Sequence, residues 1–314
     1  MRFTDIKQLR IVYMGTPEIS ATVLEGMIEA GFPILALVTN EDKPVGRKRE
    51  LEPTPTKKVA LAHGIPVYQP HRIKDDHAFL KDIPCDVIVT MAYGQIVPSA
   101  VLQHPRFGCL NLHGSLLPKL RGAAPIQRAL MEGETVTGVT LMQMVERMDA
   151  GLMYDKKEVA IDPNDNYTSL CGKIAIAAKD LIIADLLRYV NGELSGQAQQ
   201  EEEATFAAKI KPEDEHLDLA LEPAALCNKI RGLSLTPGGY FLLHGKKLKV
   251  FAAAIARLGQ EAPLGTIVSL KKGVFIQGNG AILRLALLQL EGKKMVDGPS
   301  FANGNQSLLG AVLS

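Results

Sequence analysis

The 314-residue sequence contains no tryptophan, and its four cysteines lie far apart. No two of them form a Cys-x-x-Cys pair, so neither a disulfide framework nor a zinc site is indicated. No apolar run approaches the length that spans a membrane, and the opening MRFTDIKQLR lacks the apolar region of a signal peptide. These absences predict a cytoplasmic protein that has no metal site and no membrane partner.

The overall charge is also small, at +1, and the composition is that of an ordinary globular protein, 46% hydrophobic and 22% charged. A slight positive excess after residue 212 is too weak to indicate nucleic-acid binding by itself. The length favours two domains. We therefore predict a first domain over 1–194, a Gln- and Glu-rich linker over 195–211 and a second domain over 212–314.

The first forty residues alternate strand and helix. Apolar segments over 9–14 and 34–39 flank a helix over 17–30, which is the spacing of a β-α-β unit. This pattern predicts an α/β fold with a Rossmann-like parallel sheet, although a Gly-x-Gly-x-x-Gly dinucleotide pattern is missing. A polar helix is expected over 71–81. Beyond residue 239, short strands and glycine-rich turns predict a small β-barrel of the oligonucleotide-binding (OB) type.

Polar side chains appear where a predicted strand ends, within 107–126, FGCLNLHGSLLPKLRGAAPI. Alternate residues of a strand share a face, so Asn111 and His113 point the same way. Such a pair suits chemistry on a carbonyl, because an amide can stabilise a developing oxyanion and an imidazole can move a proton. The same pair also suits a hydrogen-bonded turn, and these two residues alone leave both interpretations open.

Other segments also allow either a functional or a structural interpretation. The long connection over 40–56 follows a strand and holds a basic cluster, so it is either a ligand-binding loop or solvated surface. A loop after the predicted strand 139–145 offers two carboxylates, Glu146 and Asp149, and a functional role requires that one returns to His113. Cys109 shares the strand face of His113, and we do not expect it to be a nucleophile.

The string NLHGSLLPKLRGAAPI, 111–126, closely resembles the signature of the folate-dependent formyltransferases, and TGVTLMQMVERMDAG, 137–151, resembles their second signature. The resemblance covers nearly the whole chain and is closest to the members that formylate methionyl initiator tRNA. It implies that Asn111, His113 and Asp149 are catalytic, that no metal or covalent enzyme intermediate takes part, and that 10-formyltetrahydrofolate is the formyl donor. Members that formylate amino-sugar nucleotides are the alternative.

The resemblance also implies binding residues. The folate is expected to lie along a turn and a strand end, formed by Ser115, Leu116, Leu117, Pro118, Met91, Tyr93, Gly94, Ile96 and Val97. The acceptor end of the tRNA is expected at the basic loop, formed by Lys43, Arg47, Lys48 and Arg49. The second domain would lie along the acceptor arm, and a monomer is expected. Leu120 departs from the family, in which an aromatic residue is usual.

Overall fold

The computed structural model of the protein describes residues 2–45 and 50–314. By its internal contacts the chain forms two units. The first takes in the chain up to Pro125 together with 136–160 and 171–207, and the second takes in 126–135, 161–170 and 208–314. The domain boundaries predicted at 194 and 212 stay a prediction. Among the described residues, no helix is both long and apolar enough to cross a membrane.

Up to residue 207 the chain mostly alternates between strands and helices. In chain order they are β1 Ile11–Gly15, α1 Glu18–Glu29, β2 Ile34–Val38, β3 Lys43–Val45, β4 Glu50–Glu52, α2 Pro55–Ala62, β5 Val67–Tyr68, β6 Val87–Met91, α3 Ser99–Leu102, β7 Cys109–His113, β8 Arg121–Gly122, α4 Pro125–Met131, β9 Val136–Gln143, β10 Met153–Ala160, α5 Tyr167–Val190 and β11 Phe206–Ala207. Short 3-10 turns lie at Ile6–Gln8, Ala78–Asp82 and Glu201–Glu203.

Seven of these strands form the main sheet, in the order β10-β9-β7-β6-β1-β2-β5. Strand β1 is parallel to β2 and β6, and β7 is parallel to β6, whereas β9 pairs antiparallel with β7, and β10 pairs antiparallel with β9. The central strands β1 and β6 are buried along their whole length, as their continuous apolar sequences require of strands covered on both faces. The predicted Rossmann-like parallel sheet is confirmed. Parallel strands bring Gly15, Met91 and His113 to the same edge of the sheet.

Two local predictions need correction. The connection over 40–56 is not simply a loop, because β3 and β4 pair as antiparallel arms within it. The helix predicted over 71–81 was wrong, and only the 3-10 turn Ala78–Asp82 forms there. That segment buries just Ile73 and Leu80 among its apolar side chains, and helices depend on a continuous buried face for most of their stability.

The second unit is built on an antiparallel sheet. Its elements after residue 207 are α6 Pro223–Leu233, β12 Gly239–Leu243, β13 Lys246–Leu258, β14 Ile267–Ser269, β15 Val274–Gly278, β16 Ala281–Leu290, β17 Val296–Asp297 and α7 Gly298–Gly304, with 3-10 turns at Pro212–Glu215 and Gln306–Leu308. The strand order is β12-β13-β16-β15-β14, with β17 on β16.

The pairing of the described strands in this unit runs from β12 to β14 without a pair that closes the predicted barrel. The chain end instead contacts both edges, since Ser314 exchanges main-chain hydrogen bonds with Leu242 and Leu313 donates to the carbonyl of Gly265. The core beneath the sheet includes the fully buried Ile230 and Phe241. An antiparallel domain is therefore present, and its core is apolar.

Candidate active site

The side chain of Asn111 is oriented by a neighbouring strand. Thr90 on β6 lies opposite Asn111 on β7, and its hydroxyl donates to Asn111 Oδ1 at 2.8 Å. Because this contact uses the amide oxygen, the Nδ2 group is left as the free donor, with no hydrogen-bond partner among the described residues. The structure thus presents an amide N–H₂ group at the carboxyl end of β7.

His113 is nearly buried, with 5% of its surface exposed. Its Nε2 lies 2.9 Å from the carbonyl oxygen of Leu120, which can only accept, so Nε2 carries a proton. The other ring nitrogen, Nδ1, is 3.7 Å from Asp149 Oδ2. That distance is too long for a hydrogen bond and short enough for charge attraction, so Nδ1 is the nitrogen that remains available to a reacting group.

Asp149 returns to His113 as the resemblance implies. Its Oδ2 accepts a hydrogen bond from the main-chain N–H of Gly122 at 2.8 Å, and its side chain is 15% exposed. Gly122 has a φ of +121°, and a Cβ there would lie 2.7 Å from the carbonyl oxygen of Ala207. Only glycine fits this close approach. The donor that holds Asp149 therefore depends on a glycine.

The alternatives that the sequence left open are resolved by burial and contacts. Glu146 hydrogen-bonds Ser99 and is exposed, so Asp149 is the carboxylate that faces His113. Cys109 is 1% exposed, its Sγ faces the carbonyls of Val101 and Leu102, and burial raises the pKa of its thiol. A nucleophilic cysteine needs a lowered pKa and access, so Cys109 is a packing residue.

The turn predicted to line the folate is already well bonded within the protein. Ser115 donates from Oγ to the carbonyl of Lys119, and Leu117 N–H donates to Thr140 Oγ1 at 3.0 Å. The Leu117–Pro118 peptide is cis, and the Leu117 side chain is buried against Met142 and Met153. Leu116 is partly exposed. Contact of this turn with folate stays a prediction.

The second predicted folate segment borders a cavity of about 710 Å³. Met91, Tyr93 and Val97 are buried, whereas Gly94 is exposed and the Ile96 side chain is 77% exposed. Ile96 lines the cavity, and the other lining side chains include Gln95, Pro98, Arg72, Lys74 and Glu146. Burial raises the pKa of Tyr93, and its hydroxyl has no hydrogen-bond partner among the described residues.

Of the predicted tRNA-binding residues, the structure describes Lys43, which is exposed on β3. Arg47, Lys48 and Arg49 lie outside the described residues. Within residues 2–45 and 50–314, no group of three or more His, Cys, Asp or Glu side chains is placed to hold a metal ion.

Several residues that position the site were missed by sequence reasoning. Thr90 orients Asn111, Leu120 fixes the His113 ring through its carbonyl, and Gly122 holds Asp149. A threonine at the end of a buried apolar strand was a usable signal for the first. The Leu120 carbonyl is a main-chain atom, which every residue has, so the sequence offered no signal for it. The glycine at 122 did signal a close backbone approach, but nothing in the sequence linked it to Asp149.

Comparison with known proteins gives the class. A Rossmann-like sheet with an amide N–H₂ group, an imidazole and a carboxylate at one edge suits chemistry on a carbonyl. One family model, described as formyl transferase, matches residues 9–186, and another, described as formyl transferase, C-terminal domain, matches 209–306. The chain belongs to the formyltransferase family and is a formyl-transferring enzyme.

Full-length relatives are found in Bacillus. The chain is 42% identical over 308 residues to the methionyl-tRNA formyltransferase of Bacillus subtilis, covering 97% of both proteins. It is 41% identical over 299 residues to the protein of the same name from Bacillus licheniformis, covering 94% of this chain and 95% of that one.

Similar solved structures share the fold at low identity. The sugar 3N-formyl transferase WlaRD, crystallised with dTDP and 5-N-formyl-THF, has a TM-score of 0.66 at 17% identity, covering 91% of this chain and 99% of that one. HypX from Aquifex aeolicus, in complex with tetrahydrofolic acid, has a TM-score of 0.65 at 16% identity, covering 96% of this chain and 47% of that one.

Proposed function

We propose that the protein transfers the formyl group of 10-formyltetrahydrofolate to the α-amine of methionyl initiator tRNA. The acceptor is inferred from the Bacillus relatives, whose similarity runs over 97% of this chain. One observation carries the chemistry: the Asn111 Nδ2 group, which has no hydrogen-bond partner among the described residues, and the His113–Asp149 pair lie at the end of one strand. A transfer between amines needs both an oxyanion donor and a proton acceptor, and this arrangement supplies both.

Asn111 serves the oxygen of the formyl group. As the amine attacks the carbonyl carbon, negative charge develops on that oxygen. The Nδ2 group of Asn111 is already aimed by the Thr90 contact, so it can donate without reorganising. Such fixed donors stabilise the transition state more than the ground state, and this difference accelerates the reaction.

His113 and Asp149 serve the proton and the positive charge. The attacking amine forms a bond to the formyl carbon and loses a proton, while the bond from that carbon to N10 of the folate breaks and N10 takes up a proton. His113 Nδ1 is the ring nitrogen free to accept the first proton and pass it to N10, because Leu120 occupies Nε2. Once Nδ1 is protonated, the Asp149 carboxylate 3.7 Å away stabilises the imidazolium. The Gly122 N–H keeps that carboxylate in place.

The cavity beside Ile96 suits the formyl-folate. When bound, the folate supplies the formyl group, and a molecule of its size fits a cavity of about 710 Å³. Ile96 offers an exposed apolar surface for a flat ring, and Arg72 and Lys74 offer positive charge for carboxylates.

The tRNA acceptor end is assigned to the basic loop that contains Arg47, whose neighbour Lys43 is exposed. Arginine pairs with phosphate through two parallel hydrogen bonds, which is the geometry that a tRNA backbone offers. A charged-tRNA substrate is consistent with a cytoplasmic protein. The cytoplasmic location and the monomeric state expected from the sequence both stay predictions.

The decisive experiment measures release of tetrahydrofolate from 10-formyltetrahydrofolate with alternative acceptors. We expect release that depends on methionyl initiator tRNA, with formylmethionyl-tRNA as the product. A 4-amino sugar nucleotide should give no more than the background rate. Release with the sugar nucleotide and not with the charged tRNA would overturn the proposal and favour the alternative family members.

A further inference from the structure

Gln199 joins two loops of the site: the one that carries Asp149, and the one that carries Leu120 and ends at Arg121, where the Leu120 carbonyl holds the His113 ring. Its Nε2 donates to the main-chain carbonyls of Asp149 and Gly151, at 2.7 and 2.9 Å. Its Oε1 accepts from Arg121 Nε at 2.9 Å. The side-chain amide thus uses both of its donors and its acceptor in bonds to these loops.

One residue in each of these loops has a left-handed backbone conformation. Asp149 has a φ of +51°, and Leu120, whose carbonyl holds His113, has a φ of +59°. A residue with a Cβ pays about 1 kcal/mol or more to occupy this left-handed region. Such conformations persist when surrounding contacts hold them, and the Gln199 bonds act on the carbonyl of Asp149 itself.

The segment around Gln199 is anchored to the site by further bonds. The Arg121 guanidinium is 1% exposed and makes paired hydrogen bonds with Glu201, which lower the pKa of that carboxyl. Thr205 accepts from the main-chain N–H of Leu120 and from that of Arg121. The 199–205 segment therefore contacts the His113 side of the site as well as the Asp149 side.

We propose that Gln199 is a positioning residue for formyl transfer, which sets the distance between Asp149 and His113 through the backbone of the Asp149 loop. The proposal rests on the proposed function. It places a determinant of the chemistry within 195–211, the segment predicted from the sequence as a linker. Gln199 touches no reacting atom in this scheme and acts only through Asp149.

A small displacement of Asp149 is enough to matter. Misplacement of a catalytic group by about 1 Å can cost a hundredfold in rate. Removing the two donors of Gln199 frees the carbonyls at 149 and 151, while Arg121 keeps its bonds to Glu201. We therefore expect Gln199→Met to lower kcat by about 10- to 100-fold, with KM for folate and for tRNA changed by less than about threefold.

The matched control is Gln200→Met, because Gln200 is exposed, adjacent and outside the site contacts. It should leave kcat unchanged. If Gln199→Met fails to fold, Gln199→Glu replaces it, since a carboxylate still accepts from Arg121 Nε but cannot donate to the two carbonyls. Each variant is also combined with Asp149→Asn.

Two readouts separate positioning from general destabilisation. If Gln199 acts through Asp149, the double variant should be no slower than Asp149→Asn alone. Residue-resolved hydrogen exchange should show the Gly122 amide, bonded to Asp149, losing protection by about tenfold or more. The Arg121 amide, bonded to the Thr205 carbonyl, should keep its protection as an internal reference.

Two results would overturn the positioning role. One is a double variant whose loss of kcat is the product of the two single losses, and the other is a Gly122 amide that stays protected from hydrogen exchange in Gln199→Met. A wild-type protein that fails to formylate methionyl-tRNA would instead overturn the proposed function. The exchange measurement needs no substrate, so its outcome on Gln199 stands in either case.

Discussion

In the first unit the buried polar side chains of His113 and Arg121 belong to the site, whereas in the second unit the buried Gln277 ties a turn to the sheet. Gln277 is fully buried, accepts from the main-chain N–H of Glu261 and donates to the carbonyl of Gly278. Gln199 in the first unit makes bonds of the same kind, but to the loops of a catalytic pair.

The same chemical group therefore has different consequences in the two units. A buried amide that saturates its bonds in a turn contributes to folding alone. A similar amide beside Asp149 contributes to geometry on which a rate depends. Substitution of Gln199 in the first unit should change kcat at nearly constant stability, and substitution of Gln277 in the second should do the reverse.

The largest effect is expected for the two residues of β7. Asn111→Ala and His113→Ala should each lower kcat by about 100-fold or more, because each removes an oxyanion donor or a proton-transfer group. The measurement is turnover at saturating folate and methionyl-tRNA. Cys109→Ala, on the same strand, is the control and should stay within about twofold. Near-normal turnover of His113→Ala would remove the catalytic assignment.

Gln277→Met tests the claim for the second unit, that its buried amide contributes to stability and not to the reaction rate. It leaves buried main-chain groups unpaired, so the free energy of unfolding should fall by about 1–3 kcal/mol. Denaturant unfolding gives the stability, and kcat is measured under conditions where the variant is folded. The comparison between the units fails if kcat drops as far as it does in Gln199→Met.

Arg47→Ala should produce an intermediate effect on substrate capture. We expect kcat/KM for charged initiator tRNA to fall by about tenfold, mainly through KM, with folate affinity little changed. Lys48→Ala and Arg49→Ala should give smaller losses that shrink at high salt, as exposed phosphate contacts do. Unchanged tRNA kinetics in Arg47→Ala at every salt concentration would make the basic loop a solvated connection and favour the sugar-nucleotide alternative.

The smallest effect concerns stability in the first unit away from the site. Burial, and then the neighbouring Asp155, raise the pKa of Asp185, and its Oδ2 is buried without a hydrogen-bond partner among the described residues. The folded state therefore binds this proton more tightly than the unfolded chain, so stability falls as pH rises above about 4 and through the raised pKa.

Asp185→Asn should consequently stabilise the protein by roughly 0.5 kcal/mol at neutral pH, and the gain should vanish near pH 4. The amide oxygen of the substituted side chain can keep the contact that Asp185 Oδ1 makes with Arg188. Asp180→Asn, which loses an ion pair with Lys157, is the control and should give no gain. A gain that persists unchanged at low pH would exclude the buried charge as its cause.

Much of the first unit could be predicted because its signals are local. The apolar runs of β1, β2 and β6 indicate strands buried on both faces, and alternation along β7 places Asn111 and His113 on one face. The polar segment 71–81 misled prediction, because its helical composition is not supported by a buried stripe. The β3–β4 pairing also escaped notice, since both arms are three residues long and largely exposed.

The sequence by itself determined the fold class and the family resemblance, and it predicted Asn111, His113 and Asp149 as site residues, because motif strings and strand periodicity are properties of neighbours in the chain. Only the tertiary structure decided which ring nitrogen of His113 is free, which carboxylate faces it and that Gln199 holds the Asp149 loop. Each of these is a contact between residues that are not neighbours in the chain. A carbonyl at Leu120 or an N–H at Gly122 has no chemical mark in a sequence, so its role exists only once the chain has folded.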